Sequence, residues 1–438
     1  MIINFFIGLL VYWQIFQSFF FMDDFYFLQI SQGANIKELP IFFKPIKYTP
    51  FRPVSQQLFF FPMQKIFGLN PFAFHLVIFL FHCANSWLVY KIGEYFLKNK
   101  TKAKFLSLMY IVSPLHFVSL YSITGSYFLF GLFYFLLTFL LWLKFEITKK
   151  NKFYFLSLFF FVLAVFSSEI TAIFPLLILT IFGFKKRLKI FTPYFLTVFL
   201  NLLINIFLAG APKVSAFQMK LTAFPSLLRW YLLRAFGLPE GVKNGYSWEK
   251  TIIYLLFGAL LIITIAGLIK ILSRRGLYKI SEKNTSEVKS SDTSEVNRRK
   301  TILKYLIWIL IGGLPFYFMP YHLNSMYIGI SFLGFMLLLG KLFKRRLFLC
   351  FSLLYILLSF FSVRLLAHTH WTVRRSQLAK YWIKRTLYEQ PKDSLKETIT
   401  ITLPDKLTKE ELGITLQDNR AFQLFYNKNE LETIYQIK

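Results

Sequence analysis

The chain has 438 residues, of which 56% are hydrophobic, 20% aromatic and only 16% charged, and its mean hydropathy is +0.51. A soluble protein of this length carries about a quarter charged residues, so the composition excludes an ordinary soluble domain and fits lipid-facing helices. The net charge of +30 would suit a nucleic-acid binder, but Lys and Arg fall in short clusters between apolar segments, as membrane topology predicts, so nucleic acid is excluded as a partner.

The chain begins almost at once with apolar sequence and lacks both a basic leader and a small-residue cleavage site. A retained first span is therefore expected rather than a cleaved signal. A helix needs about 20 apolar residues to cross a bilayer. By that measure the segments 4–21, 74–97, 103–121, 126–146, 153–167, 169–184, 189–209, 250–273, 301–319, 325–343 and 346–366 predict about eleven transmembrane helices. The pair 153–167 and 169–184 is short enough to read equally as one broken helix. The stretch "FPSLLRWYLLRAFGLPE" (224–240) sets Arg229 and Arg234 among apolar residues and predicts an amphipathic helix on the membrane surface.

Placing the N-terminus inside puts 27 Lys and Arg in the inner connections and 10 in the outer ones. Cytoplasmic loops collect these residues, so the expected protein lies in the cytoplasmic membrane with its C-terminal tail outside. Two outer loops are long, 22–73 and 209–249. The inner loop 273–300 is rich in Ser, Lys and Glu and reads as a disordered linker. The tail, 367–438, carries 12 basic and 9 acidic residues, and its "ETITITLPD" alternates like a strand. The expected fold is an all-α polytopic membrane domain (1–366) followed by a small soluble α/β appendage.

The polar residues are unevenly placed. Before residue 200 the only acids are Asp23, Asp24, Glu38, Glu94, Glu146 and Glu169. The topology puts Asp23, Asp24, Glu38 and Glu169 outside. Asp23 and Asp24 stand where the first span leaves the membrane, inside "FFFMDDFYFL". Ionisable residues bordered by apolar runs are costly and mark function. All six histidines map to the outer half. His75 and His82, seven residues apart, share a helix face, and Asn85 extends it. His116 lies near the end of its span and His322 in an outer turn. Arg52, between Phe51 and Pro53, offers a planar fork that grips phosphate oxygens. Cys83 and Cys350 sit in apolar segments and read as small hydrophobes. There is no Cys-based metal spacing, no dedicated zinc spacing, no Gly-rich phosphate loop and no nucleophile elbow. A carboxylate as general base, an Arg or His to stabilise a departing phosphate and no nucleotide motif are consistent with glycosyl transfer from a lipid-carried donor.

The order "MDD" after the first span, then "YTPFRPVSQ", "FGLNPFAFHLVIFLFHCANSWLVY", "SPLHFVSLYSITGSYFLFGLFYFLL", "SSEITAIFPLLIL" and "YHLNSMYIGISFLGF" resembles the polytopic GT-C glycosyltransferases. It is most similar to bacterial relatives of the protein O-mannosyltransferases, including the tetratricopeptide-containing type, though no such repeats follow here. The resemblance implies a GT-C-like bundle that takes sugar from a polyprenyl-phosphate carrier, with inversion, and passes it to an acceptor hydroxyl. It implies Asp23 as catalytic base with Asp24 in support, Arg52 on the lipid phosphate, and His75, His82, His116 and Glu169 lining the site. Asn85 and His322 are added to that lining on their position. No cofactor is required by the resemblance, but two Asp residues leave open a divalent metal, Mg or Mn, between Asp23 and Asp24. The acceptor, whether protein, glycan or lipid, is left open, as is the sugar. Two rival expectations are a transporter or flippase of lipid-linked saccharides and a non-catalytic envelope assembly protein.

Overall fold

The computed structural model describes residues 2–32, 36–183, 188–210, 218–282, 288–392, 398–404 and 407–437. Its helices in chain order are α1 (Ile2–Tyr12), α2 (Asp23–Gln32), α3 (Gln57–Phe67), α4 (Pro71–Leu97), α5 (Lys100–Val112), α6 (Phe117–Tyr121), α7 (Tyr127–Thr148), α8 (Asn151–Val165), α9 (Phe174–Phe182) and α10 (Leu188–Leu203). They continue with α11 (Phe224–Ala235), α12 (Ser247–Glu282), α13 (Val288–Gly312), α14 (Gly329–Leu342), α15 (Arg345–Thr369) and α16 (Trp371–Glu389). The chain closes with β1 (Thr398–Leu403), α17 (Lys409–Leu416), α18 (Arg420–Tyr426) and β2 (Glu432–Ile437).

Among the described residues seven stretches are long and apolar enough to cross a membrane: Pro71–Leu97, Lys100–Tyr121, Thr124–Thr148, Leu188–Ala209, Ser247–Ile269, Ser325–Leu342 and Arg345–Thr369. Three shorter apolar stretches join them, Ile2–Gln17, Asn151–Val165 and Glu169–Phe182. The molecule is thus an all-α membrane protein with a small sheet, and seven long plus three short apolar helices stand where about eleven spans were expected. The remaining segment, 301–319, is interrupted. Its helix stops at Gly312, and Gly313, Leu314 and Pro315 turn the chain into a 3-10 stretch, Leu314–Phe318, because glycine and proline both disfavour helix continuation. The paired segments 153–167 and 169–184 form two helices, α8 and α9, separated at the Phe166–Ser168 turn.

Local sequence accounts for the helix ends. Asn70 precedes Pro71, and its side chain accepts from the Phe72 N–H, capping α4. Asn99 does the same for α5 through the Lys102 N–H at 3.0 Å. At the opposite end of α14, Lys102 Nζ donates to the carbonyls of Gly340 and Phe343, both at 2.7 Å. A cation there satisfies orphan carbonyls and the negative end of the helix dipole. The amphipathic helix expected at 224–240 is α11. It buries Leu227, Tyr231 and Ala235, four residues apart, and leaves Arg229 exposed.

The segment expected as a disordered linker differs. α12 runs on to Glu282 and α13 starts at Val288. Lys, Glu and Arg are good helix formers, and helix continues into both sides of that loop; residues 283–287 lie outside the described residues.

The tail is α/β. β1 and β2 pair in parallel, Thr398 opposite Glu432 through Leu403 opposite Ile437, with α17 and α18 between them. β1 buries Ile399, Ile401 and Leu403 and exposes the threonines between. Thr408 caps α17, its hydroxyl accepting from the Glu411 N–H at 3.1 Å. The tail is not a separate ball. Ile399, Leu412 and Phe422 share one apolar cluster with Tyr12, Phe20 and Phe25 near the N-terminus.

Candidate functional site at the start of α2, α7 and α14

Asp23 and Asp24 open α2 and face in different directions. Asp24 is completely buried. The Phe21 N–H donates to its Oδ2 at 3.1 Å, the Thr124 N–H donates to Oδ1 at 2.6 Å, and the Thr124 hydroxyl donates to the same oxygen. Burial pushes the Asp24 carboxyl up to about 7, against those hydrogen bonds, which pull it down. A group of that pKa suits a general base, but no substrate hydroxyl can reach oxygens already enclosed and bonded. Asp24 is therefore an anchor that ties α2 to the turn before α7.

Asp23 is exposed. Gln417 Nε2, from the end of α17, donates to its Oδ1 at 2.9 Å. Its Oδ2 takes no hydrogen bond among the described residues. Surrounding protein raises the Asp23 carboxyl, opposed by the Gln417 hydrogen bond and by the charges of Arg420 and Arg52. Asp23 thus keeps one oxygen accessible.

Arg52 lies in the first long loop and is buried to 9% exposure. Its Nε donates to Glu169 Oε2 at 2.7 Å and its Nη2 donates to Oε1, a fork-to-fork pair. The guanidinium also lies 3.8 Å from the centre of the Tyr127 ring. Glu169 exposes 47% of its side chain, so the pair sits at the rim of the bundle rather than in its core.

The Arg52 loop is held against the turn that carries Glu169. The Ser55 hydroxyl donates to Ser167 O at 2.7 Å and the Val54 N–H to Phe166 O at 3.3 Å. Asn205 Oδ1 accepts from the Phe51 N–H at 2.9 Å. Gly131, one turn into α7, makes the approach possible. A Cβ there would stand 2.5 Å from Ser168 Cβ, which no packing tolerates. Gly131→Ala is expected to push the Ser168–Glu169 turn off α7 and loosen Arg52. The measure is any activity of the site, which should fall while the protein still inserts and folds.

His322 joins this group through tyrosines. Its Nε2 is 2.5 Å from the Tyr327 hydroxyl. Tyr327 stacks on Phe316 at 3.9 Å and lies beside Tyr127, the ring under Arg52. Burial and the charge of Arg52 lower the His322 pKa, which favours the neutral ring at neutral pH. A second tie lies alongside: Glu240 Oε1 accepts from the Ser325 N–H at 2.8 Å, and its Oε2 is 3.7 Å from His370 Nε2. It joins the second long loop to the tail.

The structure therefore assembles Asp23, Arg52, Glu169 and His322 at one end, adding Tyr127, Tyr327 and Gln417, which the sequence did not single out. Four expected site residues are not brought to Arg52, and this corrects the sequence reading. His75, His82 and Asn85 do share a face of α4, but that face looks into neighbouring helices. Thr124 gives its N–H to Asp24 instead of to Leu120 O, and His75 Nδ1 meets that carbonyl at 3.0 Å. Leu115 gives its N–H to the Ser113 hydroxyl, and His82 Nε2 meets Ile111 O at 2.9 Å. Asn85 Nδ2 donates to Leu129 O at 3.0 Å. His116 packs its ring 4.4 Å from Tyr110 and 4.9 Å from His82. His75 and His82 satisfy carbonyls freed where the chain breaks at Ser122 and Pro114, His116 packs beside them, and Asn85 ties α4 to α7.

Two carboxylates do not make a metal cradle here. Both Asp24 oxygens already accept N–H or O–H donors, which leaves Asp23 alone, and among the described residues no group of three His, Cys, Asp or Glu side chains has ligand geometry. The residues do not fit a divalent ion between Asp23 and Asp24. Chemically the site offers an accessible carboxylate, a fixed guanidinium and a neutral imidazole. No protein-family model, curated protein or solved structure matches the chain.

Proposed function

We propose that the protein is a membrane glycosyltransferase. It moves a sugar from a polyprenyl-phosphate carrier to an acceptor hydroxyl at the outer face of the cytoplasmic membrane, with inversion. The observation that carries this reading is the division of labour at one bundle end. Asp23 keeps a free carboxylate oxygen while Asp24 is locked, and the charge of Arg52 acts on Asp23.

In the proposed step the Asp23 carboxylate takes the proton of the acceptor hydroxyl. The acceptor oxygen forms a bond to the anomeric carbon from the face opposite the phosphate. The bond from that carbon to the phosphate oxygen breaks, and polyprenyl phosphate leaves with the bonding electrons. Arg52, fixed by Glu169 and Tyr127, offers its guanidinium charge to the departing phosphate.

The GT-C resemblance, the count of about eleven spans and the N-terminus-inside orientation belong to this proposal. The apolar helices among the described residues support a polytopic membrane protein, and the clustering of Lys and Arg in alternate connections supports the orientation. A second reading has an observation of its own. His82, His116 and Tyr110 pack together inside the bundle with buried polar atoms unpaired, His116 at both ring nitrogens. Intramembrane ionisable groups of this kind occur on transport routes, which keeps a flippase of lipid-linked saccharides as the alternative. Mass spectrometry of envelope glycans and glycoproteins from cells with and without the protein tests the proposal. Loss of one glycan unit, with its polyprenyl-phosphate donor accumulating, is expected; an unchanged glycan profile contradicts it.

A further inference from the structure

The tail reaches the base of the proposed site, and it does so through strained backbone. Gln417 and Asp418, at the end of α17, are consecutive non-glycine residues with φ of 53° and 54°, and Met22, just before Asp23, has φ of 53°. Left-handed conformations are costly for residues with side chains and persist where surrounding structure enforces them. Here the two strained segments face each other. The Met22 N–H donates to Thr415 O at 2.8 Å, and the Gln417 amide donates to Asp23. Away from this point the contact continues along α2. Gln29 Nε2 donates to Gln423 at 2.9 Å, Gln32 Nε2 donates to Asn427 at 2.8 Å, and Arg420 lies 4.5 Å from the Tyr26 ring centre. Asp23 itself stays exposed, so the tail reaches it without sealing it.

We propose that the C-terminal domain is part of the active site and that Gln417 is the positioning residue of Asp23. The Gln417 amide occupies Oδ1 and so presents Oδ2 to the acceptor. This rests on the reading of Asp23 as base, but its test does not need activity. The charged groups acting on Asp23 are Arg420 from α18 and Arg52 from the first loop, with Asp24 its neighbour on α2 and Arg375 of α16 against Met22. Variants leave all of these in place.

The experiment labels Asp23 in the full-length protein with a water-soluble carbodiimide, which modifies the protonated carboxyl, and reads the modified peptide by mass spectrometry across pH. A donated hydrogen bond favours the ionised form, so Gln417→Leu is expected to move the labelling midpoint up by about 0.5–1 pH unit. Asn427→Ala, which removes a tail contact farther along α2, should not move it. If transfer is assayed in parallel, the acid limb of its pH profile should shift with the labelling. An unchanged midpoint in Gln417→Leu, or an equal shift in Asn427→Ala, overturns the proposal. Wild-type protein that labels as expected but transfers no sugar overturns the glycosyltransferase reading instead and leaves the positioning of Asp23 by Gln417 established.

Discussion

Asp23→Asn is expected to reduce sugar transfer roughly 10²–10⁴-fold, the usual contribution of a positioned general base, with little change in folding. Asp23 is exposed and gives up one hydrogen bond, from Gln417, and an Asn side-chain oxygen can still accept it. Asp24→Asn should do the reverse in kind. It removes an acceptor held by three hydrogen bonds in a fully buried position. Its amide would turn a donor toward the donors of Thr124. The Asn oxygen can keep one set of donors, so the expected cost is about 1–3 kcal/mol of stability, the penalty for a buried donor left unpaired, read as a lower melting temperature of the purified protein in detergent. Activity lost with Asp24→Asn should follow from lost structure, whereas Asp23→Asn should melt like wild type and fail to transfer. Equal melting and equal activity of the two variants would contradict the assignment of base and anchor.

The second large effect is at Arg52. Arg52→Ala removes both the guanidinium edge facing the proposed leaving group and the partner of Glu169. Loss of one transition-state donor typically costs about 10²–10³ in turnover, and that fall is expected here. Arg52→Lys should recover little, because an ammonium cannot reproduce a planar pair to two carboxylate oxygens while stacked on a tyrosine. Glu169→Gln should be milder. It leaves the stacking on Tyr127 and a neutral acceptor for the guanidinium, and Glu169 is half exposed. Steady-state kinetics in donor concentration separate the cases. The turnover number should fall for Arg52→Ala, with a smaller rise in the donor KM. Near-wild-type turnover in Arg52→Ala would remove it from the chemistry.

How much of this was legible in the sequence differs by residue, for physical reasons. Charges are scarce in the first 200 residues, so Asp23, Asp24, Arg52 and Glu169 stood out, and topology alone put them at one end. What sequence could not separate was Asp23 from Asp24. Adjacent residues at a helix start point about 100° apart, and only the position of Thr124 decides which one is enclosed. The seven-residue spacing of His75 and His82 showed a shared face. It could not show that this face meets the carbonyls of Ile111 and Leu120, because those carbonyls are free only where the chain breaks at Pro114 and where Asp24 draws away the Thr124 N–H. Tyr127 and Tyr327 were hidden among 24 tyrosines. Gln417 carries no sequence signal at all. It lies 394 residues from Asp23, in a polar tail whose only legible feature was the alternation of β1. The interrupted spans failed for a related reason. Apolar length predicts that a segment lies in lipid, whereas Gly312, Gly313 and Pro315 decide whether it does so as continuous helix.

The central claim is that a sugar leaves its lipid carrier at this site. The most direct measurement uses the purified protein in lipid vesicles with a polyprenyl-phosphate hexose labelled in the sugar. The account predicts that label leaves the lipid fraction, that polyprenyl phosphate is released in equal amount, and that both stop with Asp23→Asn. Labelled donor that crosses the bilayer intact, with no release of polyprenyl phosphate by the wild-type protein, would contradict it.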